Sequence, residues 1–150
     1  MNYIFEHITL RSLKSDQEFD DVFRASMRIP YGSIVARVRL RPRTVKPAVQ
    51  GVQVIGFAVQ VPKKKVRLAV LRNRIKRLVR ESLRLLCKEN PQMFGNIESV
   101  IVQWNATTDA VTAKGFALTD IMPQLQSVLE LAHAKQRQFP AHRRRRPDAV

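Results

Sequence analysis

The stretch from Leu68 to Lys88 constrains the fold more than any other part of this chain. Its apolar side chains recur every three or four residues, which places them on one stripe of an α-helix. The members of this stripe are Leu71, Ile75, Leu78, Val79, Ser82, Leu85 and Leu86. Asn90 and Pro91 end the pattern. Because such a stripe must be buried against another element, the sequence predicts a long amphipathic helix inside a packed domain.

Three other stretches alternate between apolar and polar residues and are predicted to be β-strands. They are residues 33–40, residues 52–61 just before Pro62, and Ile97–Trp104. The second strand is a candidate partner of the first. The connection between them, residues 41–50, contains two prolines and several basic residues and is predicted to be a loop.

Two further helices frame this central part. Ser15 and Glu18 form a capping box, which predicts a helix over residues 15–27, and Pro30-Tyr31-Gly32 is expected to break the chain. A last helix is predicted with Asp120 as its N-cap and with Pro123 early enough to lose no hydrogen bond. Its apolar stripe consists of Ile121, Leu125, Val128, Leu129 and Ala132.

The order helix, strands, helix, strand, helix predicts a single small α+β domain with one sheet over residues 1–138. Residues 139–150 include the run Arg143–Arg146 and have no apolar period, so a disordered basic tail is predicted there. Four aromatic residues are assigned to core or loop packing: Phe57, Phe94, Phe116 and Trp104.

The charge of the chain points to an anionic partner. Its 150 residues include 27 Lys and Arg against 12 Asp and Glu, a formal charge of +15, which destabilises a compact chain by self-repulsion. Cys87 is the only cysteine, which excludes an intramolecular disulfide and is compatible with the reducing cytoplasm. The sequence has neither a long apolar run nor a signal segment, so no membrane association is expected.

The sequence offers little for catalysis by protein groups. His7, His133 and His142 are scattered and far from Cys87 in sequence. There is no metal-ligand spacing, no phosphate-binding glycine loop and no nucleophile elbow. Neither a metal site nor an active site made of protein groups is therefore expected.

The face opposite the apolar stripe of the central helix is nearly all cationic. Glu81 is the only acid between Arg72 and Arg84, whereas a merely solvated helix face mixes charge signs. Arginine binds phosphate through parallel hydrogen bonds, and Asn73 is placed to reach a base edge or a sugar. The face is therefore predicted to bind RNA. It consists of Asn73, Lys76, Arg77, Arg80 and Arg84, with Arg72 and Arg74 at its margins and Lys63, Lys64, Lys65 and Arg67 before it.

Phe19 and Phe23 lie four residues apart on the first predicted helix and have two interpretations. They could form a platform on which unpaired bases stack, or they could pack in the core. Their spacing alone favours the core.

The thirteen residues Ala69–Glu81, AVLRNRIKRLVRE, closely resemble the signature of the bacterial ribonuclease P protein family, which carries an R-N-R element. A lysine pair lies just upstream of this signature in the family, at the end of a strand, and this chain has the run Lys63–Lys65 there. The first helix, with Phe19, Val22 and Phe23, is similar to the family's F-x-x-V-F element. The resemblance spans residues 10–135.

The resemblance implies an α/β sandwich with a left-handed β-α-β crossover, and a protein subunit of a ribonucleoprotein endoribonuclease. The implied partners are the catalytic RNA of ribonuclease P, which would hold the catalytic Mg²⁺, and precursor tRNA, whose 5′ leader is removed; no further protein is required. The residues implied to bind RNA are Lys63, Lys64, Lys65, Arg67, Arg72, Asn73, Arg74, Lys76, Arg77 and Arg80. Those implied to form the leader-binding cleft are Phe19, Phe23, Arg37 and Gln60.

Two departures from the family pattern carry structural expectations. The lead-in Pro62–Val70 is one residue longer than in many members, and a basic residue replaces their glycine, so the turn into the helix is expected to be built differently. Arg37 stands where an aromatic residue is common, which would exchange stacking on a base for a cation.

Three other classes of protein share some of these features. A ribosomal or other structural RNA-binding protein would have the same size and charge. A membrane-surface or calmodulin-binding helix would need its apolar stripe exposed. A metal-dependent protein nuclease would need carboxylates brought together by the fold.

Overall fold

A mixed sheet of six strands organises the described part of the chain. The computed structural model describes residues 2–4, 8–41 and 53–138, so the predicted basic tail and most of the predicted loop before the second strand lie outside the described residues. The strands are β1 (Asn2–Ile4), β2 (Ile8–Ser12), β3 (Met27–Tyr31), β4 (Ile34–Leu40), β5 (Gln53–Gln60) and β6 (Ile97–Trp104). Their spatial order is β1-β2-β5-β6-β4-β3.

Within the described residues, four α-helices and one 3₁₀ turn accompany the sheet. They are α1 (Asp16–Arg24), α2 (Ala69–Glu89), the 3₁₀ turn Pro91–Phe94, α3 (Ala110–Gly115) and α4 (Leu118–Gln138). The predicted capping box begins α1: Ser15 Oγ accepts from the Glu18 N–H at 3.1 Å, and the Glu18 carboxylate accepts from the Ser15 N–H at 3.3 Å. The predicted α+β fold with one sheet is confirmed.

The main core lies between one face of the sheet and helices α2 and α4. Each large apolar side chain buried there contributes about 1.5–3 kcal/mol relative to leaving it exposed. The sheet contributes Ile34, Ala36, Val38, Ile55, Phe57, Val100 and Val102, α2 contributes Leu71, Ile75, Val79, Leu83 and Leu86, and α4 contributes its whole predicted stripe. Most of the predicted α2 stripe is confirmed, but Leu83 and Cys87 are buried, while Leu78 and Leu85 are partly exposed.

Helix α1 covers the opposite face of the sheet with a much smaller apolar contact. Val22 of α1, Val35 of β4 and Ile101 of β6 are buried but lie outside the main cluster. The chain before α1 also approaches the sheet closely, since a Cβ atom on Gly56 would come within 2.6 Å of Leu13 Cδ2. The two faces of the sheet are therefore covered very unequally.

Strands β5 and β6 are adjacent and parallel, and α2 connects them, so the chain contains the β-α-β unit that the resemblance implies. The left hand of this crossover stays a prediction. The candidate pairing of β4 with β5 is wrong, because β6 lies between them. β6 is buried on both faces, which suits the central position better than the half-polar β4 and β5.

The predicted break at Pro30-Tyr31-Gly32 is wrong for Pro30, which lies within β3 opposite Val35. β3 is an edge strand, where a residue without an N–H group is tolerated. The chain reverses instead at Gly32 and Ser33, and Gly32 has the positive φ of 57° that two-residue hairpin turns require.

The predicted start of the last helix is also wrong. α4 begins at Leu118, so Pro123 lies inside the helix and removes the hydrogen bond that its N–H would have donated to Thr119. Asp120 still serves this end of the helix, since its carboxylate accepts from the Ala117 N–H at 2.8 Å. Gln124 donates to the Asp120 carbonyl at 2.9 Å and accepts from the Ser33 N–H at 2.8 Å, which ties α4 to the β3–β4 hairpin.

Candidate nucleic-acid interface

The outer side of α2 carries the predicted cationic face. Because Ile75 and Val79 are buried on the inner side, the helical period turns Asn73 and Arg77 into solvent and leaves Lys76 and Arg80 half-exposed. Glu81 is bound by Arg84, whose Nε lies 3.0 Å from its carboxylate, and this hydrogen bond lowers the pKa of Glu81. Within the described residues Lys76, Arg77 and Arg80 form no salt bridge, so their charge faces solvent uncompensated.

The two arginines of the R-N-R element are partly used inside the protein. Arg72 Nη1 donates to the carbonyl oxygens of Val66, at 3.0 Å, and Arg67, at 2.6 Å. Arg74 Nη2 donates to the Phe116 carbonyl at 2.8 Å. These guanidinium groups therefore fix the segments that enter α2 and follow α3, while Asn73 between them is exposed.

The basic lead-in to α2 is a turn held from two sides. The N–H groups of Lys65 and Val66 donate to the Pro62 carbonyl at 3.0 and 3.1 Å, and the Thr108 N–H donates to the Lys65 carbonyl at 2.8 Å. Thr108 Oγ1 in turn accepts from the Trp104 indole N–H at 3.1 Å. This arrangement builds the turn without the glycine of the family pattern.

The positions of the lead-in cations follow from this turn. Lys63, Lys64 and Arg67 are exposed and Lys65 is half-buried, whereas Val66 between them is buried. The predicted lead-in cations thus lie next to the predicted helical ones along the chain, and the turn that bears them is fixed by hydrogen bonds to its backbone.

The four residues of the predicted cleft lie on the α1 side of the sheet. Arg37 stacks on Phe23, with its Cζ 5.5 Å from the ring centroid, and Phe19 and Phe23 are both half-buried. Gln60 accepts from Gln103 across β5 and β6 at 2.9 Å. The structure therefore brings Arg37 and Phe23 into contact and places Gln60 on the same sheet face.

Arg28 belongs to this face and was not among the predicted residues. In the β3–β4 hairpin it lies directly opposite Arg37, and like charges in that position destabilise a sheet. The Arg37 Nε is buried and has no hydrogen-bond partner among the described residues. The pair could have been found by counting back from Gly32, but only with β3 recognised as a strand.

Hydrogen bonds and an ion pair to the Glu18 carboxylate orient α1 over this face. The Glu18 carboxylate accepts from the Lys14 N–H at 2.7 Å and from Arg11 Nη2 at 2.6 Å. These bonds, together with the Ser15 N–H, lower the pKa of Glu18 to about 2. Glu18 thereby links β2, through Arg11, to the helix that carries Phe19 and Phe23.

No metal or thiol chemistry is evident in the described part of the chain. No group of three or more His, Cys, Asp or Glu side chains is placed there to hold a metal ion. Burial raises the pKa of the Cys87 thiol to about 12, which keeps it protonated. No described helix is long and apolar enough to cross a membrane.

A small α+β protein that presents a cationic helix on one side and an arginine–aromatic face on the other belongs to the class of RNA-binding proteins. The family model of ribonuclease P matches residues 9–118, which is most of the chain. The chain therefore belongs to the ribonuclease P family and is a protein subunit of this tRNA-processing ribonucleoprotein.

Solved structures agree on the fold. The ribonuclease P protein of Staphylococcus aureus is 21% identical, with a TM-score of 0.57 over 81% of this chain and 94% of that one. The Thermotoga maritima protein is 17% identical, with a TM-score of 0.58 over 81% of this chain and 96% of that one. No curated protein matches the chain in sequence. The ribosomal or other structural RNA-binding role gains no support from these comparisons.

Proposed function

We propose that the RNA partner is the catalytic RNA of ribonuclease P and that the outer face of α2 binds it. The uncompensated charge of Lys76, Arg77 and Arg80, beside the exposed Asn73, is the observation that carries this proposal. When RNA phosphates bind to these cations, the mutual repulsion of the cations is relieved and counterions are released from the RNA. The exposed lead-in cations Lys63, Lys64 and Arg67 extend the same surface.

The α1 side of the sheet is proposed to bind the single-stranded 5′ leader of precursor tRNA. Phe19 and Phe23 supply aromatic faces for unpaired bases, and Arg37 with Arg28 supplies charge for the leader backbone. Gln60, paired with Gln103, offers amide groups to a base edge or sugar at the same face. The leader and the catalytic RNA would thus contact opposite sides of the sheet.

The catalytic groups are proposed to belong to the RNA partner. Mg²⁺ ions held by the RNA would supply the activated water and the positive charge that the scissile phosphate needs. The protein residues bind and orient the substrate, and their positive charge lowers the Mg²⁺ concentration that the RNA requires. We place this activity in the cytoplasm, which suits a protein whose one cysteine is a free, buried thiol.

Reconstitution tests this proposal directly. The purified chain is added to ribonuclease P RNA from the same organism and precursor tRNA at low Mg²⁺, and release of the 5′ leader is followed on a gel. We expect cleavage only when both RNA and protein are present. Cleavage by the protein alone would contradict the assignment of catalysis to the RNA, and no stimulation at any Mg²⁺ concentration would contradict the proposed partner.

The leader contact has its own test. Phe19→Ala is expected to weaken binding of precursor tRNA to the reconstituted enzyme about tenfold, within the roughly 1–3 kcal/mol that stacking on one base contributes. Binding of mature tRNA, which has no leader, should stay unchanged. An equal loss for both RNAs would return Phe19 to a packing role.

A further inference from the structure

A groove lies between the segment that leads into α2 and the segment that leads into α3. Its volume is about 270 Å³, and its lining is mostly apolar with one cation and one carboxylate. We call it the α2–α3 groove; it is lined by Val66, Arg67, Leu68, Leu71, Thr108, Asp109 and Ala110. Small-molecule pockets usually measure about 300–1,000 Å³, so this groove fits a single ring system.

The most exposed large apolar side chains of the described residues accompany this groove. Leu68, which lines it, is 51% exposed, and Val111, directly after the lining residue Ala110, is 82% exposed. Val70, two residues after Leu68, is 70% exposed and lies on the cationic side of α2. Single exposed apolar residues need no explanation, but here one of them lines a concave site and two more lie within two residues of its lining in the chain, which favours a contact surface.

The walls of the groove are held in place before any ligand binds. The Thr108 N–H donates to the Lys65 carbonyl at 2.8 Å, which joins the two wall segments. Arg72 holds the carbonyls of Val66 and Arg67, and the Trp104 indole holds the Thr108 hydroxyl. A ligand would therefore bind with little ordering cost.

The positive charge around the groove favours a negatively charged ligand. Lys63, Lys64 and Arg67 are exposed in the wall segment before α2. The carboxylate of Asp109 is already used within the protein, since it accepts from the Thr112 N–H at 2.7 Å, which lowers the pKa of Asp109. A flat, partly apolar group attached to negative charge fits this environment, and an unpaired nucleotide has that chemistry.

We propose that the α2–α3 groove binds one unpaired base of the RNA partner, with its phosphate against the Lys64 and Arg67 side of the rim. This inference rests on the proposed function, because the same RNA contacts the outer face of α2. It adds an apolar base contact to a surface whose other candidate RNA contacts are cations and the exposed Asn73. The bound nucleotide is expected to lie outside any duplex, since taking a paired base out of its stack costs free energy that an unpaired base does not.

Substitution of Leu68 distinguishes the contribution of the groove to RNA binding from that of the cationic face. Leu68→Ser removes apolar surface at the groove and leaves the net charge unchanged, so we expect affinity for the ribonuclease P RNA to fall about tenfold, as for the loss of part of a buried leucine contact. The slope of log affinity against log salt should stay unchanged, because no phosphate contact is lost. Val111→Ser is the second variant of this kind, and Leu131→Ser on α4, exposed by 40%, is the matched control.

The outcomes distinguish this inference from the proposed function. If Arg77→Ala weakens RNA binding but Leu68→Ser and Val111→Ser do not, the groove contact is overturned while the function stands. If none of the three variants weakens binding, both are overturned. Loss of affinity in Leu131→Ser as well would show a general effect of removing surface leucines and would also overturn the groove contact.

Cross-linking identifies the nucleotide. Val111→Cys can be labelled selectively with a photoactivatable group, because Cys87 is 1% exposed and protonated. We expect cross-links to one unpaired position of the RNA that Leu68→Ser in the same chain abolishes. Cross-links spread over duplex regions, or unchanged by Leu68→Ser, would contradict the proposal.

Discussion

The two faces of the sheet carry their candidate binding residues in different ways. On the α2 side a thick core holds the helix through Ile75 and Val79, and the cations Lys76, Arg77 and Arg80 project from the outer side of the same helix. On the α1 side the apolar contact is small, and Phe23 both packs against Arg37 and belongs to the proposed cleft. On the α2 side, Ile75 and Val79 support the fold and Lys76, Arg77 and Arg80 are free to bind, and only the residues at the margin of the face, such as Arg72, do both. On the α1 side the central residue of the face, Phe23, does both.

This difference predicts how each face responds to substitution. On α2, changes to the inner residues Ile75 and Val79 should affect stability alone, and changes to the outer cations Lys76, Arg77 and Arg80 should affect RNA binding alone. On the α1 side, changes to Phe23 and Arg37, which contact each other, should affect both. The following substitutions test that contrast.

The largest effect on stability is expected at Ile75, which is 0% exposed in the main core. Ile75→Ala should lower the free energy of unfolding by about 2–5 kcal/mol, because it removes buried methyl groups and leaves a cavity. The neighbouring Lys76→Ala should change it by less than about 0.5 kcal/mol while weakening RNA binding. Urea denaturation measures the stability of both variants, and filter binding measures their affinity for RNA. A large loss of stability in Lys76→Ala would contradict the separation of folding and binding on α2.

Phe23→Ala should lower stability and leader affinity together. Loss of its contact with Arg37 and of its half-buried surface should lower the free energy of unfolding by about 1 kcal/mol. Precursor tRNA should bind about tenfold more weakly, as expected for one stacked base. Thermal denaturation measures the stability and competition binding measures the affinity for precursor tRNA. A Phe23→Ala variant that loses only stability or only affinity would contradict the shared role of this residue.

Arg72→Ala is expected to loosen the lead-in to α2. The variant loses hydrogen bonds to the Val66 and Arg67 carbonyls, so the free energy of unfolding should fall by about 1 kcal/mol. Amide hydrogen exchange at Val66, whose N–H bonds to Pro62, should speed up in the protein without RNA. Arg77→Ala, on the exposed side of α2, is the control and should leave that exchange unchanged. Equal exchange rates in both variants would assign Arg72 to RNA contact alone.

The smallest expected effect is on the stability of the protein at acidic pH. The pKa of Glu18 is lowered to about 2 in the folded chain from an ordinary value of 4.5, so its contribution to stability is fully present above pH 4.5 and is lost as the pH falls toward 2. Glu18→Gln should therefore flatten the decline of stability over this range, measured by urea denaturation at successive pH values. An unchanged acid profile would mean that the unfolded chain holds Glu18 in a similar environment.

The elements with a strong internal period were predictable from the sequence. Helix α2 follows from the spacing of its apolar residues, and β6 was predicted with its observed bounds, Ile97–Trp104. The cationic face followed from the same period, because residues that are not on the buried stripe must lie on the other side. Only the family resemblance favours leader binding over core packing for Phe19 and Phe23, and this role stays a prediction.

The features that were missed depend on tertiary context. Pro30 is compatible with β3 only because β3 is an edge strand, and strand order is not local information. Near the start of α4, Gln124 accepts from the Ser33 N–H, 91 residues away in the chain, and no local pattern shows this contact. Likewise, Arg28 becomes a neighbour of Arg37 only through the register of the hairpin, and Arg74 meets the Phe116 carbonyl only in the folded chain.

The central claim, that the outer face of α2 binds RNA and does not support the fold, is tested most directly by the triple variant Lys76→Ala, Arg77→Ala, Arg80→Ala. Affinity for ribonuclease P RNA would be measured as a function of salt, together with the urea midpoint. The account predicts a salt slope reduced by about 2–3, near 0.9 for each lost phosphate contact, and a urea midpoint that does not fall. An unchanged slope, or a midpoint that falls as it does in Ile75→Ala, would contradict it.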